Sequence, residues 1–372
     1  MIKVCHITSA HGRYDDRIFQ KECISLARKY EVHLLVNDDL ENICVDGVFI
    51  HSAHISISNR IQRMFSVRKL FKQAIEIDAD IYHLHDPELL MIVKPLLRHG
   101  KKVIFDSHEF YSEQIKAKEY IPIPCRKIIA YLYNQYETYI CRKIDAVILI
   151  CPIRGEKGII NAFEGRCKRY QYIANYPVEH NYIGGEKRKN TPIQVVYAGG
   201  LTYERGITYL IDACYRANCK LVLAGSFSSD AYRRELEKKE SFKCVDYRGQ
   251  CTASQVYQIY KGADIGAATL LDYGQYFKAE TFPVKVYEYF QMKLPVLISN
   301  YPYAKEMNAK YHFGVAVTPN SIESLVNGIN EIIAGLEKES LGENGYELYK
   351  KHLNWSNEAQ KLFALYQEIL KD

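Results

Sequence analysis

The sequence predicts an α/β protein of two doubly wound, parallel-sheet domains, and three observations carry that expectation. Short apolar runs alternate with helical segments through the first half, a charged stretch with Gly and Pro interrupts the chain, and the alternation then restarts. A length of 372 residues fits two domains of about 180 residues each better than one core.

In chain order, Lys3 to Thr8 reads as a strand, Asp16 to Lys29 as a helix and Val32 to Val36 as a strand. Ile81 to Leu84, Lys102 to Phe105 and Ala146 to Ile150 read as further strands. Between Ala174 and Pro192, the pairs Tyr176-Pro177 and Gly184-Gly185 and the charged run from Glu186 to Lys189 make a linker. The pattern restarts at Gln194 with a strand, a glycine turn and a helix. Strand Lys220 to Ala224, helix Ala231 to Lys239, a short strand near Cys244 to Tyr247, helix Ser254 to Lys261 and strand Asp264 to Ala267 follow. Pro295 to Ser299 reads as a buried strand. Trp355 to Leu370 reads as an amphipathic helix, with Trp355, Ala359, Leu362, Phe363 and Tyr366 on the face that packs. The expected division is residues 1–176, residues 177–352, and a terminal helix in 353–372 packing back on the first domain.

Composition narrows the function classes. Hydrophobic content of 48% and charged content of 25% describe a globular chain, and a net charge of +5 is too modest for a nucleic-acid binder. Eleven scattered cysteines without a Cys-x-x-Cys pair read as free thiols in a reducing compartment. The residues from Met1 to Thr8 already read as a strand and leave no room for a signal peptide, and no apolar run approaches a membrane span. These features lead to the expectation of a cytoplasmic protein.

Five places carry candidate chemistry. Glu280 and Glu288 stand eight apart, with Pro283 and Lys285 between them. Pro283 suits a helix start, which would leave Glu280 on the preceding loop and Glu288 about a turn inside the helix. The N–H groups of such a start, with Lys285 beside them, form an anion site. A diphosphate flanked by carboxylates that accept sugar hydroxyls fits a sugar nucleotide; solvated helix charges are the plainer alternative. Second, the loop from Thr8 to Arg17 carries Gly12 after a strand but lacks a dinucleotide fingerprint, so Gly12 is either a ligand-facing loop residue or a plain turn. Third, His83 and His85 share a strand face and could hold a metal with His108 and Asp86, the basis of a metal-dependent hydrolase alternative. The nearby Asp78-Ala-Asp80 reads as a helix-to-strand connection. Fourth, a buried strand delivers Asp106, His108 and Glu109 to its carboxyl end. Fifth, Gly199 and Gly200 open a loop that Arg205 and Gly206 close before a helix, where backbone amides and Arg205 could clamp a diphosphate.

Taken together, the chain resembles the family-4 retaining glycosyltransferases of GT-B fold over nearly its whole length. The resemblance is carried by Asp16-Arg17-Ile-Phe, by His83-Leu-His85-Asp86-Pro87, by Phe105-Asp-Ser-His108-Glu109, by Tyr197-Ala-Gly-Gly-Leu-Thr-Tyr-Glu-Arg205-Gly206-Ile, by Pro283-Val-Lys285-Val-Tyr-Glu288-Tyr-Phe and by Phe313-Gly-Val-Ala-Val. It implies two Rossmann-like domains facing an interdomain cleft, the first binding the acceptor and the second the nucleotide sugar. By the same resemblance Arg205 and Lys285 neutralise the donor diphosphate and Glu288 accepts from the ribose. Glu280 faces the donor sugar, with Thr281 and Phe282 on the turn that reaches its hydroxyls and phosphate. His108 meets the sugar or the β-phosphate, while Tyr247 and Arg248 lie against the base. Gly200 stands where many relatives carry Arg, and Lys285 is the expected replacement. The implied chemistry is retaining transfer from a UDP- or GDP-sugar, without a bound metal or other cofactor, to a glycan or lipid-linked glycan in polysaccharide or lipopolysaccharide assembly. A non-catalytic sugar-nucleotide-binding protein is the third reading.

Residues 60–72 hold Arg60, Arg63, Arg68, Lys69 and Lys72 and no acidic residue, interleaved with apolar side chains. This segment is either a helix with a solvated basic side or a patch that lies on anionic lipid.

Overall fold

The computed structural model describes residues 1–55, 60–108, 110–117, 121–155, 158–179, 191–273, 276–336 and 340–371, apart from the side chains of 60–65 and 276. Glu109 therefore lies outside the described residues. Met1–Asn175 and Trp355–Asp372 form one compact unit and Tyr176–Asn354 another.

Among the described residues the first unit has the strands β1 (Lys3–Ile7), β2 (Glu31–Val36), β3 (Ile43–Val45), β4 (Val48–Ser52), β5 (Ile81–Leu84), β6 (Lys102–Ser107), β7 (Ala146–Leu149), β8 (Ile153–Gly155), β9 (Gly158–Ile160) and β10 (Tyr170–Tyr172). Eight form one sheet in the order β10-β7-β6-β5-β1-β2-β4-β3, and β8 and β9 pair separately. Every contact in the eight-stranded sheet is parallel except β3 with β4. Strands β1, β5, β6 and β7 are buried almost throughout, as expected of parallel strands covered on both faces. Their apolar residues Cys5, Ile7, Leu84, Phe105 and Val147 join one core. The same strands carry His6, His83 and Asp106 into the interior.

The first helix departs from the sequence expectation. Asp16–Cys23 is wound as a π-helix, with the Gln20 N–H reaching the Asp15 carbonyl, and only Ile24–Leu26 continues as α-helix. Asp15 caps it by accepting from the N–H groups of Arg17 and Ile18 at 2.9 Å each. Arg17, Lys21 and Glu22 all lie inside the protein on this wide turn. The terminal helix Trp355–Lys371 buries Trp355, Leu362, Phe363, Tyr366 and Ile369. Polar ties fix it too: Trp355 Nε1 donates to Ser25 Oγ at 2.8 Å, and Glu358 accepts from the Ala174 N–H at 2.8 Å.

In the second unit β11 (Gln194–Ala198), β12 (Lys220–Ala224), β13 (Val245–Gly249), β14 (Ile265–Ala268), β15 (Val296–Ser299) and β16 (Gly314–Val317) form a wholly parallel sheet in the order β13-β12-β11-β14-β15-β16. Alternation along β11 sends Val195 and Tyr197 to one core and Val196 and Ala198 to the other, so the sheet is covered on both faces. The order reverses between β11 and β14, which makes the loops after those strands the place where a ligand is expected. Among the described residues no helix is long and apolar enough to cross a membrane.

Candidate functional site

At the reversal point of the second unit, glycines let three strand ends interlock. The Gly199 N–H donates to the Ala224 carbonyl at 2.9 Å, and the Gly225 N–H to the Gly249 carbonyl at 2.7 Å. Gly225 takes φ +134°, and a Cβ there would stand 2.0 Å from the Gly199 oxygen. Gly206 takes φ +73° before the helix Ile207–Arg216, and its Cβ would stand 2.0 Å from the Thr269 carbonyl oxygen after β14. Only glycine permits these approaches. They hold the 199–206 loop against the loop after β14, and Tyr197 OH supports its tip by donating to the Gly200 carbonyl at 3.1 Å.

The carboxylate pair lies on the helix Val284–Gln291 and the segment before it. Pro283 is the residue that caps this helix, one position earlier than a first-turn placement. Lys285, one residue into the helix, carries its Nζ 3.9 Å from the Tyr197 ring centroid. A Cβ on Gly199 would meet the same nitrogen at 3.2 Å, so the ammonium sits at the glycine turn. Burial first, and the neighbouring Arg205 second, pull the Lys285 pKa down to about 7, while Glu288 works the other way. These effects place Arg205, Lys285 and Glu288 within one electrostatic neighbourhood. Glu288 Oε2 accepts from the buried Tyr260 hydroxyl at 2.8 Å, which fixes the carboxylate's orientation.

Glu280 is half-buried on the bend before the helix. Thr281 Oγ1 lies 2.8 Å from Tyr287 OH, and the Phe282 N–H donates to that hydroxyl at 2.9 Å. The Phe282 ring is buried among Tyr287, Phe290, Tyr303 and Phe313, so its part is to anchor the turn. Tyr247 donates to the Gly225 carbonyl at 3.1 Å, and exposed Arg248 pairs with Asp246 at 2.7 Å.

The sheet order of the first unit also reverses, between β1 and β5. Asp86 ties the two following loops together, accepting from Thr8 Oγ1 at 2.8 Å and the Ser9 N–H at 2.7 Å. His108 lies just past β6 with its ring 5.2 Å from that of His11. His108 Nδ1 is 3.6 Å from Asp106 Oδ2 and meets no hydrogen-bond partner among the described residues. A side-chain hydrogen bond to Asp15 raises the His11 pKa. Gly12 is exposed with open space around it.

His83 and His85 do share a face, with ring centroids 4.6 Å apart, but both are buried. The side chains grouped with them differ from the expected metal set. His6, Glu22, His83 and His85 form one group and His85, Asp106 and His108 another, while Asp86 is committed to the Thr8–Ser9 loop. Arg17 holds Asp106 with two hydrogen bonds, at 2.7 and 2.9 Å. Burial opposes ionisation of Asp106, but Arg17 and the histidines outweigh it and keep the pKa well below the usual carboxylate range. Burial, then Asp106 itself, pushes Glu22 well above that range. Asp78 and Asp80 lie in the turn from the helix Arg60–Ile77 to β5, the latter accepting from the Lys3 N–H at 2.8 Å.

Sequence reasoning missed His6, His11, Glu22, Tyr197, Gly225 and Tyr260. For Gly225 a signal existed, a glycine directly after a strand as at Gly199. Tyr197 opens the motif that runs to Ile207 but was given no role, and for Tyr260 there was no signal, because a tyrosine on an apolar stretch is ordinarily core.

Comparison with known proteins places these features in a family. Residues 180–348 match the family model described as glycosyl transferases group 1, and residues 23–153 that of glycosyltransferase family 4. An uncharacterized glycosyltransferase of Methanocaldococcus jannaschii is 25% identical over 180 residues, 46% of this chain and 44% of that protein. The aligned part is thus less than half of that relative's length. Sucrose-phosphate synthase from Thermosynechococcus elongatus superposes over 100% of both chains with a TM-score of 0.76 at 17% identity. Anabaena Alr3699/HepE, solved in complex with UDP and glucose, covers 99% of this chain and 100% of its own with a TM-score of 0.69 at 14% identity.

Proposed function

Given that the chain belongs to the glycosyl transferases group 1, family 4, with the GT-B fold, we propose that it transfers a sugar from a nucleoside-diphosphate donor to a hydroxyl acceptor with retention of configuration. The observation that carries this reading is the Lys285 ammonium set against the Gly199 turn and the Tyr197 ring at the reversal point of the second unit's sheet, with Glu288 on the same helix and Arg205 in the same glycine loop. Arg205, Lys285 and the first N–H groups of the helix Val284–Gln291 neutralise the diphosphate without a metal ion. Glu288, oriented by Tyr260, accepts from the ribose hydroxyls. Glu280 accepts from the donor sugar, and Tyr247 and Arg248 border the base. His108 of the first unit is assigned to the sugar or the β-phosphate.

In the reaction the bond from the anomeric carbon to the diphosphate oxygen breaks, and a bond to the acceptor oxygen forms on the same face. The acceptor's proton passes to the departing diphosphate, so no side chain serves as nucleophile or base. The Anabaena protein was solved with UDP, which makes a uridine donor the first to test and a guanosine donor the second. Replacement of Glu288 by Ala should weaken donor binding, and Glu280→Ala should lower turnover more than binding. A Glu280→Ala, Glu288→Ala double variant with wild-type transfer would sink the assignment.

We further propose a glycan acceptor held at an anionic membrane. Arg68, Lys69 and Lys72 are exposed on the helix Arg60–Ile77, while the side chains of Arg60 and Arg63 lie outside the described residues. Sedimentation with anionic liposomes should fall when Arg68, Lys69 and Lys72 become Glu; unchanged sedimentation, or none by the wild type, rejects the contact.

A further inference from the structure

We propose that His6, Glu22, His83 and His85, inside the first unit, form a closed structural site for one divalent transition-metal ion of the zinc class. Their ligand atoms lie within 4.8 Å of one another and all four side chains are buried. Glu22 Oε2 is 3.9 Å from His6 Nδ1, His83 Nδ1 and His85 Nε2 alike, too far for a hydrogen bond to any of them. Neither Glu22 oxygen, nor His83 Nε2, meets a hydrogen-bond partner among the described residues. A buried carboxylate ringed by imidazoles without contact is expensive unless something sits between them. A regular tetrahedron with 3.9 Å edges has its centre about 2.4 Å from each corner, so the zinc–ligand range of about 2.0–2.2 Å is reached if the three Glu22 edges close slightly and the 2.9 Å His6–His85 edge opens.

Charge points the same way. Asp106 and Glu22 both face Arg17, but Asp106 takes two of its hydrogen bonds, whereas Glu22 Oε1 has only an ion-pair approach of 3.2 Å. One guanidinium cannot neutralise two buried carboxylates, so without an ion Glu22 keeps a proton, and a dication bound through Glu22 takes that proton's place. The outer contacts suit metal-bound imidazoles, whose second nitrogen is normally held. His85 Nδ1 lies 3.3 Å from Asp106 Oδ2 and His6 Nε2 3.5 Å from Tyr366 OH, and binding through His83 Nδ1 displaces the 2.9 Å bond that nitrogen makes with Tyr366 OH.

Without the ion, the 2.9 Å contact between His6 Nδ1 and His85 Nε2 holds one proton and Glu22 holds another. On binding, the His6 proton moves to Nε2, facing Tyr366, and the Glu22 proton is released. With four protein ligands and no open position, the ion ties β1, the π-helix and β5 together and takes no part in transfer chemistry. Its burial means that it enters during folding.

The test is elemental analysis of the whole chain after expression in zinc-supplemented and, separately, cobalt-supplemented medium. The expected result is about one ion per chain, with visible d–d bands of a tetrahedral centre in the cobalt form. Glu22→Gln and His85→Gln should each lose the ion. If those variants fail to fold, refolding the wild type with zinc or with EDTA should still give a higher Tm with zinc. A folded wild type without stoichiometric metal from either medium, and with no zinc effect on Tm, overturns the proposal in favour of a proton-sharing network. So does an ion that persists in a folded Glu22→Gln, His85→Gln double variant.

Discussion

Lys285 is a cation kept where its charge is disfavoured. With a pKa drawn down to about 7 by burial and then Arg205, it is protonated below that pH and increasingly neutral above it. A bound diphosphate favours the charged form, so binding above pH 7 must take up a proton. Affinity should then fall by up to about tenfold per pH unit above 7. Calorimetric titration with UDP or GDP from pH 6 to 9 should record this decline, and Lys285→Arg should flatten it because guanidinium stays protonated throughout. A wild-type profile already flat over that range would reject the role of Lys285. Arg205, Lys285 and Glu288 could be named from the sequence because their spacing carries the family resemblance, and their proposed roles await the tests above. Tyr260 was not, since its bond to Glu288 spans 28 positions and depends on how two helices pack. His6 and Glu22 were illegible for a similar reason: a histidine in a strand and a glutamate in a helix acquire meaning only when packing brings them beside His83 and His85.

At the scale of elements, the glycine turns position the second unit's site. Gly206 combines a left-handed φ of +73° with backbone 2.0 Å from where a Cβ would stand. Gly206→Ala should therefore destabilise the protein by about 1–3 kcal/mol, measurable as a lower urea midpoint, and should weaken nucleotide binding as the loop shifts. Unchanged stability and binding would mean that the loop moves freely. The central strands were readable to within one or two residues, because parallel strands covered on both faces leave continuous apolar runs. The π-helix was not, because hydrophobic spacing does not separate a wide turn from an α-turn, and the partners that hold Arg17 and Lys21, Asp106 and Asn175, are remote in sequence. The β3–β4 hairpin was missed although a signal was present: Asp46 and Gly47 both take positive φ, as a tight turn between two apolar runs requires.

For the whole molecule, the change of texture between Ala174 and Pro192 reads as a break between domains; the chain divides into two compact units, passing from the first to the second between Asn175 and Tyr176 and back between Asn354 and Trp355. Composition could not supply which unit would hold a donor; the proposed assignment to the second rests on the placement of Arg205, Lys285 and Glu288 there. The most direct measurement is a thermal-shift series of the full chain with UDP-, GDP-, ADP- and dTDP-sugars, run beside Lys285→Ala and Glu288→Ala. A ligand specific to the folded state at a hundred times its Kd adds about 2.7 kcal/mol of stability. The expected result is a raised Tm with at least one nucleotide sugar, and a much smaller shift in both variants. No shift with any of the four, or an equal shift in wild type and variants, would contradict a donor site built on Lys285 and Glu288.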